Sequence, residues 1–450
     1  MKRDLFSGLV VASFALPLCL AFGAATGLGP AAGLLTSVAA GFVAALLGGS
    51  RVQVTGPSAV FIVVVTGIVA VHGIAGLALA TLLAGVLLAG FGALRLAPVF
   101  RRLPEPILVG FTAGIGVTLV VSQLKDLLGL TAPRLPVELF SNLAALAGLV
   151  SGTNLAALGL GTLTFVGVLS AERLLPKVPW ALVAVVAGAA AVSGAHVSVP
   201  TLGGAFGPLT LAFHPFDFSS LTYRGVVDLL PSAFTLAFLG AVESLLSAGV
   251  ADGLIPARHS PRRELIGQGA ANAVSALLGG LPANGDVGRT VANLRSGGRS
   301  RLAAVVHSVV LCLVWAFLGF LASSVPLAVL AGLVISAAVR LVDFREFRLI
   351  LKTTRADAMA LVTTLVLTVA ADLAFAVISG LLVALLFFAR GVADRAKTVP
   401  STRPELAQLP PGVHVVDLNG AFFFGASAQF DEAIRPLLDR ANTVLLRRMR

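Results

Sequence analysis

The chain has 450 residues, of which 57% are hydrophobic and only 12% charged, and its formal charge is +11. A large soluble protein needs charged residues over a surface that grows with its size, so this composition excludes an ordinary soluble domain. The basic excess forms no stripe with interleaved aromatics, and with one Tyr and two Trp there is little to stack on bases, which argues against a nucleic-acid partner.

Apolar segments of span-like length lie near 5–26, 30–48, 57–71, 73–92, 106–124, 152–171, 179–195, 226–250, 264–279, 287–294, 302–321, 325–339, 357–370 and 372–389. Their number, fourteen, predicts an all-α polytopic membrane protein. The first, after Lys2 and Arg3, reads as a retained span rather than a cleavable leader. Several fall short of the roughly 20 residues of a straight crossing, which points to broken or tilted helices shielded by neighbours.

The charges give a separate test. With a cytoplasmic N-terminus, the inward connections hold Arg51, then Arg95, Arg101 and Arg102, then Arg173 and Lys177, then Arg258, Arg262 and Arg263, with further groups at Arg295–Arg301 and Arg340–Arg355. The other side receives only Lys125, Arg134 and Arg224. This is the bias expected of fourteen spans with both ends cytoplasmic. After residue 390, Pro400, Pro404, Pro410 and Pro411 punctuate a polar linker, 391–411. Strand-like segments at Val413–Asp417 and 443–446 flank a helix-like 427–440, the opening of an α/β domain too short for its own core.

Leu46-Leu47-Gly48-Gly49 recurs as Leu277-Leu278-Gly279-Gly280. Each copy closes the second segment of a set of seven, and each precedes a short polar passage. Seven is odd, so the second set crosses in the opposite sense: an inverted repeat, with repeat one over about 5–195 and repeat two over about 226–390. Gln53-Val54-Thr55-Gly56-Pro57 and Pro282-Ala283-Asn284-Gly285-Asp286 then lead into two half-helices whose N-terminal ends face one another. Free N–H groups and positive dipole ends favour an anion there.

Arg289 would add a guanidinium fork suited to oxyanions, or else snorkel at the membrane edge beside Arg295 and Arg299. Thr55, Ser58 and Thr290 are candidate hydroxyl donors, with Asn284 and Gln53 behind them; Asp286 reads as a helix cap. Glu243, in the middle of the eighth segment, must face the interior and be protonated, paired or hydrated, so it is either a proton-coupling residue or an interhelical partner, with Arg289 as one choice. Cys19 and Phe22, near Pro17 of the first segment, are wall candidates, with core packing as the competing assignment. The histidines have no metal-ligand spacing, Cys19 and Cys312 suggest no disulfide, and no enzyme motif or cofactor site emerges.

The order of these features resembles the SulP anion permease family, also called the solute carrier 26 family. The matching stretches are Pro17, Gly29-Pro30-Ala31-Ala32-Gly33-Leu34, Leu47 to Arg51 and Thr55 to Val60; Glu243-Ser244-Leu245-Leu246-Ser247, Asp252-Gly253 and Arg263 to Asn272; and Gly279 to Pro282, Gly288-Arg289-Thr290, Asn293, Ser296-Gly297 and Arg301. The resemblance implies a seven-plus-seven transport domain, 1–390, with core and gate parts related to those of nucleobase and bicarbonate carriers. It places substrate at Thr55, Gly56, Pro57, Ser58, Ala59 and Val60 and at Gly288, Arg289 and Thr290. It also implies that 412–450 opens a STAS domain, which stops at Arg450. Leu18 stands where many members carry glutamine, which puts sulfate in question.

The resulting expectation is secondary transport of a small anion across a bacterial cytoplasmic (inner) membrane by a homodimer embedded in lipid. Proton symport of a dicarboxylate such as fumarate leads, ahead of sulfate or bicarbonate, with sodium as the other coupling ion. An anion exchanger or channel on the same fold is the alternative, and a nucleobase transporter ranks below because Arg289 disfavours it.

Overall fold

The structure is a computed structural model that describes residues 1–100, 104–131, 135–136, 139–175, 178–195, 197–209, 216, 222–370, 379, 382–383, 397–400, 413–419 and 443–448. It is mostly helical. In chain order come α1 (Lys2–Ala25), α2 (Pro30–Leu47), β1 (Thr55–Pro57), α3 (Ala59–Ala93), α4 (Ala97–Phe100), α5 (Glu105–Leu127), α6 (Leu139–Ala147), α7 (Leu155–Leu174), α8 (Trp180–Ala195) and α9 (Leu202–Phe206). Then follow α10 (Tyr223–Leu254), α11 (Pro261–Leu278), β2 (Ala283–Gly285), α12 (Val287–Arg295), α13 (Arg301–Leu318), α14 (Leu327–Leu341), α15 (Phe344–Leu351) and α16 (Arg355–Ala370).

Eight of the described helices are long and apolar enough to cross a bilayer, and the chain is a membrane protein. The third and fourth apolar segments are both contained in α3, where Gly73 turns the chain (φ 68°, ψ −168°). A residue with a Cβ would be strained at that φ. The fourteenth segment, 372–389, lies almost wholly outside the described residues.

The helices pack in two groups. α3 lies against α10 and α11, α2 against α11 and α13, and α1 against α13 and α2. In the second group α5 contacts α14 and α16, and α14 contacts α7. Small residues let the first group close up: a Cβ on Gly85 of α3 would sit 2.7 Å from the Gly269 carbonyl of α11, and one on Gly269 would sit 2.5 Å from the Gly85 carbonyl. Without a hydrophobic drive between helices in lipid, such close backbone approach is a main source of packing energy. Cys19 and Cys312 are free thiols.

In the tail, β3 (Lys397–Pro400) pairs antiparallel with β4 (Val413–Asn419), and β4 pairs parallel with β5 (Thr443–Arg448). The strand-like readings at 413 and 443 coincide with β4 and β5, while β3 falls inside the stretch read as linker. The helix-like 427–440 lies outside the described residues.

Candidate functional site at the strand crossing

Two short strands meet inside the first helix group. β1 and β2 run antiparallel, with Thr55 opposite Gly285, Gly56 opposite Asn284 and Pro57 opposite Ala283. One residue beyond each strand a helix begins: Ser58 precedes α3 and Asp286 precedes α12. Because the strands are antiparallel, the two helices leave in opposite directions and their electropositive starts flank one ribbon. The ribbon is wholly buried, so its polar backbone is tolerable only as the lining of protein or of an internal cavity.

Glycine permits this crossing. A Cβ on Gly56 would stand 2.0 Å from Nη1 of Arg289, and one on Gly285 would stand 1.4 Å from Nε2 of Gln53. The Gln53 amide instead lies across Gly285 and donates to the Ser244 carbonyl at 3.1 Å, while Ser244 Oγ accepts the Gly285 N–H at 3.0 Å.

The Arg289 fork is taken up by protein. Its Nη2 donates to the Pro57 carbonyl at 2.5 Å, Nη1 to Ser37 Oγ at 3.4 Å, and Nε stands 3.4 Å from Asp286 Oδ1. At 5% exposure it is neither snorkelling nor in a loop. It ties the start of α12 to the start of α3 and to α2, and holds a full positive charge directly behind the ribbon. Ser37 also meets Cys19 Sγ at 3.0 Å, which brings Cys19 into the same cluster. Phe22 is buried in the apolar cluster that contains Cys19 and Ala59.

The two threonines are likewise occupied. Thr55 Oγ1 accepts from Gln268 Nε2 at 2.8 Å, and Thr290 Oγ1 accepts the Val54 N–H at 3.1 Å and pairs with Ser247 Oγ at 3.2 Å. Ser58, by contrast, makes no side-chain cap to α3, so among the described residues the first amides of that helix, at Ala59 and Val60, have no side-chain acceptor. The start of α12 differs: Asp286 caps it, accepting the Arg289 N–H at 2.6 Å, with Val287 and Gly288 in the opening turn.

Glu243 lies on α10, half-buried, with neither a hydrogen bond nor an ion pair among the described residues, so the partnership with Arg289 is not formed. Its neighbour Ser244 accepts the Gly285 N–H, which sets Glu243 one residue along α10 from the ribbon contact. No group of three or more His, Cys, Asp or Glu able to hold a metal occurs among the described residues.

Residues that the sequence reading left without a role hold the crossing in place. Glu264 accepts the N–H groups of Gly49 and Ser50, each at 2.9 Å, and Gln268 Nε2 at 2.9 Å. Asn272 donates to the Ala283 carbonyl and accepts its N–H, at 2.8 and 2.9 Å, as a third strand would. The signal was present in the spacing: Glu264, Gln268 and Asn272 fall four apart, on one face of α11. Ser37 had no such signal.

The sulfate permease family is matched over residues 1–364. The chain belongs to this family. Among its family relatives, the putative sulfate transporter YvdB of Bacillus subtilis is 35% identical over 436 residues, which cover 96% of this chain and 82% of the relative. The bicarbonate transporter BicA of Picosynechococcus is 35% identical over 403 residues, 85% of this chain and 69% of that one. Of solved structures, the transmembrane domain of a cyanobacterial bicarbonate transporter superposes with a TM-score of 0.75 at 32% identity, covering 85% of this chain and 97% of that domain. The murine solute carrier 26 member A9 anion transporter, in its inward-facing state, superposes with a TM-score of 0.86 at 19% identity, covering 99% of this chain and 80% of that one, a likeness of fold. Members of the family are transporters rather than enzymes, and the relatives move small anions.

Proposed function

We propose that the chain is a secondary carrier that binds one small anion at the β1–β2 crossing and couples its movement to a proton on Glu243. The observation that carries this reading is the meeting of two helix starts at one buried ribbon, with an unpartnered carboxylate half-buried nearby. The amides at the uncapped start of α3 and the Arg289 charge behind the ribbon supply the attraction. Glu243, with no cation paired to it among the described residues, accommodates an incoming anion best when protonated.

In this reading fourteen crossings form a seven-plus-seven inverted repeat, the first helix group is the substrate-bearing core and the second is the gate. The protein works as a homodimer in a bacterial cytoplasmic membrane with both ends inside, and β3–β5 belong to a STAS-type segment. Bicarbonate, sulfate and small dicarboxylates such as fumarate are the substrate candidates.

The test is uptake of the three radiolabelled anions into proteoliposomes, with and without an imposed proton gradient. Gradient-stimulated uptake of at least one is expected, and Glu243→Gln should abolish the stimulation while the protein stays folded. Uptake of none of them, or a Glu243→Gln protein that responds to the gradient like wild type, contradicts the reading.

A further inference from the structure

The two helix starts at the crossing carry different fixed charges. α3 opens with no capping side chain, whereas α12 opens with a carboxylate already seated on its amides, Asp286 Oδ1 at 2.6 Å from the Arg289 nitrogen. The same oxygen stands 3.4 Å from Arg289 Nε, so the one buried cation of the site is already partly matched from within. Asp286 is 32% exposed on its side chain, Arg289 only 5%, so the carboxylate and not the guanidinium is the accessible charge. Glu243 comes from α10, one residue before Ser244, whose Oγ accepts the N–H of Gly285 next to Asp286 at 3.0 Å.

Resting on the anion-carrier reading, we infer that Asp286 is a specificity-determining residue that limits the site to a single negative charge, so that the preferred substrates are monovalent anions of the bicarbonate type rather than sulfate or dicarboxylates. The charges facing the site are Asp286 and Arg289 from α12 and Glu243 from α10. The other ionisable groups near Arg289 are Cys19 on α1 and His307 on α13, both buried, where desolvation disfavours a thiolate and the Arg289 charge adds to the cost of an imidazolium; His307 has no hydrogen-bond partner at either ring nitrogen among the described residues, and both count as neutral.

Asp286 and Arg289 offset one another. Two helix starts contribute roughly half a charge each. With Glu243 protonated, the site therefore presents about one net positive charge, which a monoanion neutralises. A dianion leaves one negative charge uncompensated in a desolvated place, an arrangement that buried sites do not tolerate. Removing the Asp286 charge restores room for the second one.

The experiment compares uptake of radiolabelled bicarbonate, sulfate and fumarate by the purified full-length protein in proteoliposomes at neutral pH, for wild type, Asp286→Asn, Asp286→Ser and Asp286→Glu. Asn and Ser both cap helices, so either keeps the start of α12 formed without the charge. Wild type is expected to favour bicarbonate by at least about tenfold over either dianion, a modest share of what one unmatched charge is worth at a few ångström. Asp286→Asn and Asp286→Ser should each narrow that ratio by roughly tenfold, and Asp286→Glu should keep it. If Asn impairs folding, the Ser protein decides. Wild-type preference for a dianion, or ratios unchanged in every folded uncharged variant, overturns this inference while leaving anion transport intact. Uptake of none of the three by wild type overturns the carrier reading itself and this inference with it.

Discussion

Gly56→Ala introduces one methyl group at the crossing, and its consequence can be worked from distances. The new Cβ would stand 2.0 Å from Arg289 Nη1, 2.4 Å from Ser37 Oγ and 3.1 Å from Arg289 Cζ. Ordinary contact needs about 3.5 Å, so the guanidinium must retreat by about 1.5 Å. That breaks its 2.5 Å bond to the Pro57 carbonyl. Losing a buried hydrogen bond from a charged group costs about 1.5–3 kcal/mol, and overpacking a tight interior adds about 1–3 kcal/mol. The expected loss is therefore about 2.5–6 kcal/mol, a large part of the roughly 5–15 kcal/mol that holds a domain folded.

The assay is thermal unfolding of the detergent-solubilised protein, paired with proteoliposome uptake. A clear drop in melting temperature and at least about a tenfold fall in uptake are expected, since about 1.4 kcal/mol of misplacement suffices for that factor. A combined variant isolates the cause: in an Arg289→Ala, Ser37→Ala background the same methyl group should cost under about 1 kcal/mol, because both polar groups it strikes have gone. A Gly56→Ala protein with wild-type melting and uptake would refute the clamp between α12 and α3.

Two further substitutions test the scaffold. Thr290→Val keeps the side-chain shape but leaves the buried Val54 N–H without its acceptor, so stability should fall by about 1–3 kcal/mol in the same melting assay. Glu264→Ala strands the N–H groups of Gly49 and Ser50 and one of the two N–H groups of the Gln268 amide, and a loss of at least about 3 kcal/mol should appear as poor accumulation of folded protein in the membrane.

The helices and the crossing were legible in the sequence because they rest on local rules. Apolar length marks a helix in lipid, and a Pro or a capping Asp after an extended Gly-containing passage marks a restart, as at Pro57 and Asp286. The destinations of side chains were not legible in the same way. Arg289, Thr55 and Thr290 were read as substrate donors because each sits at a helix start, yet their polar atoms are bonded to Pro57, Gln268 and Val54, partners fixed only by tertiary packing. The converse holds for Ser37, an ordinary helix serine until α12 brings Arg289 against it. The kink at Gly73 was anticipated only as a break between two apolar segments, since nothing local to a helix says that its two halves will abut.

The central claim is that an anion rests at the joint start of α3 and α12. Anomalous diffraction from crystals grown with bromide, and separately with selenate, locates such an ion directly. An anomalous peak is expected within hydrogen-bonding distance of the amides of Ala59 or Val60 on one side and Val287 or Gly288 on the other. Strong peaks found only elsewhere in the protein, with the crossing empty for both ions, would contradict it.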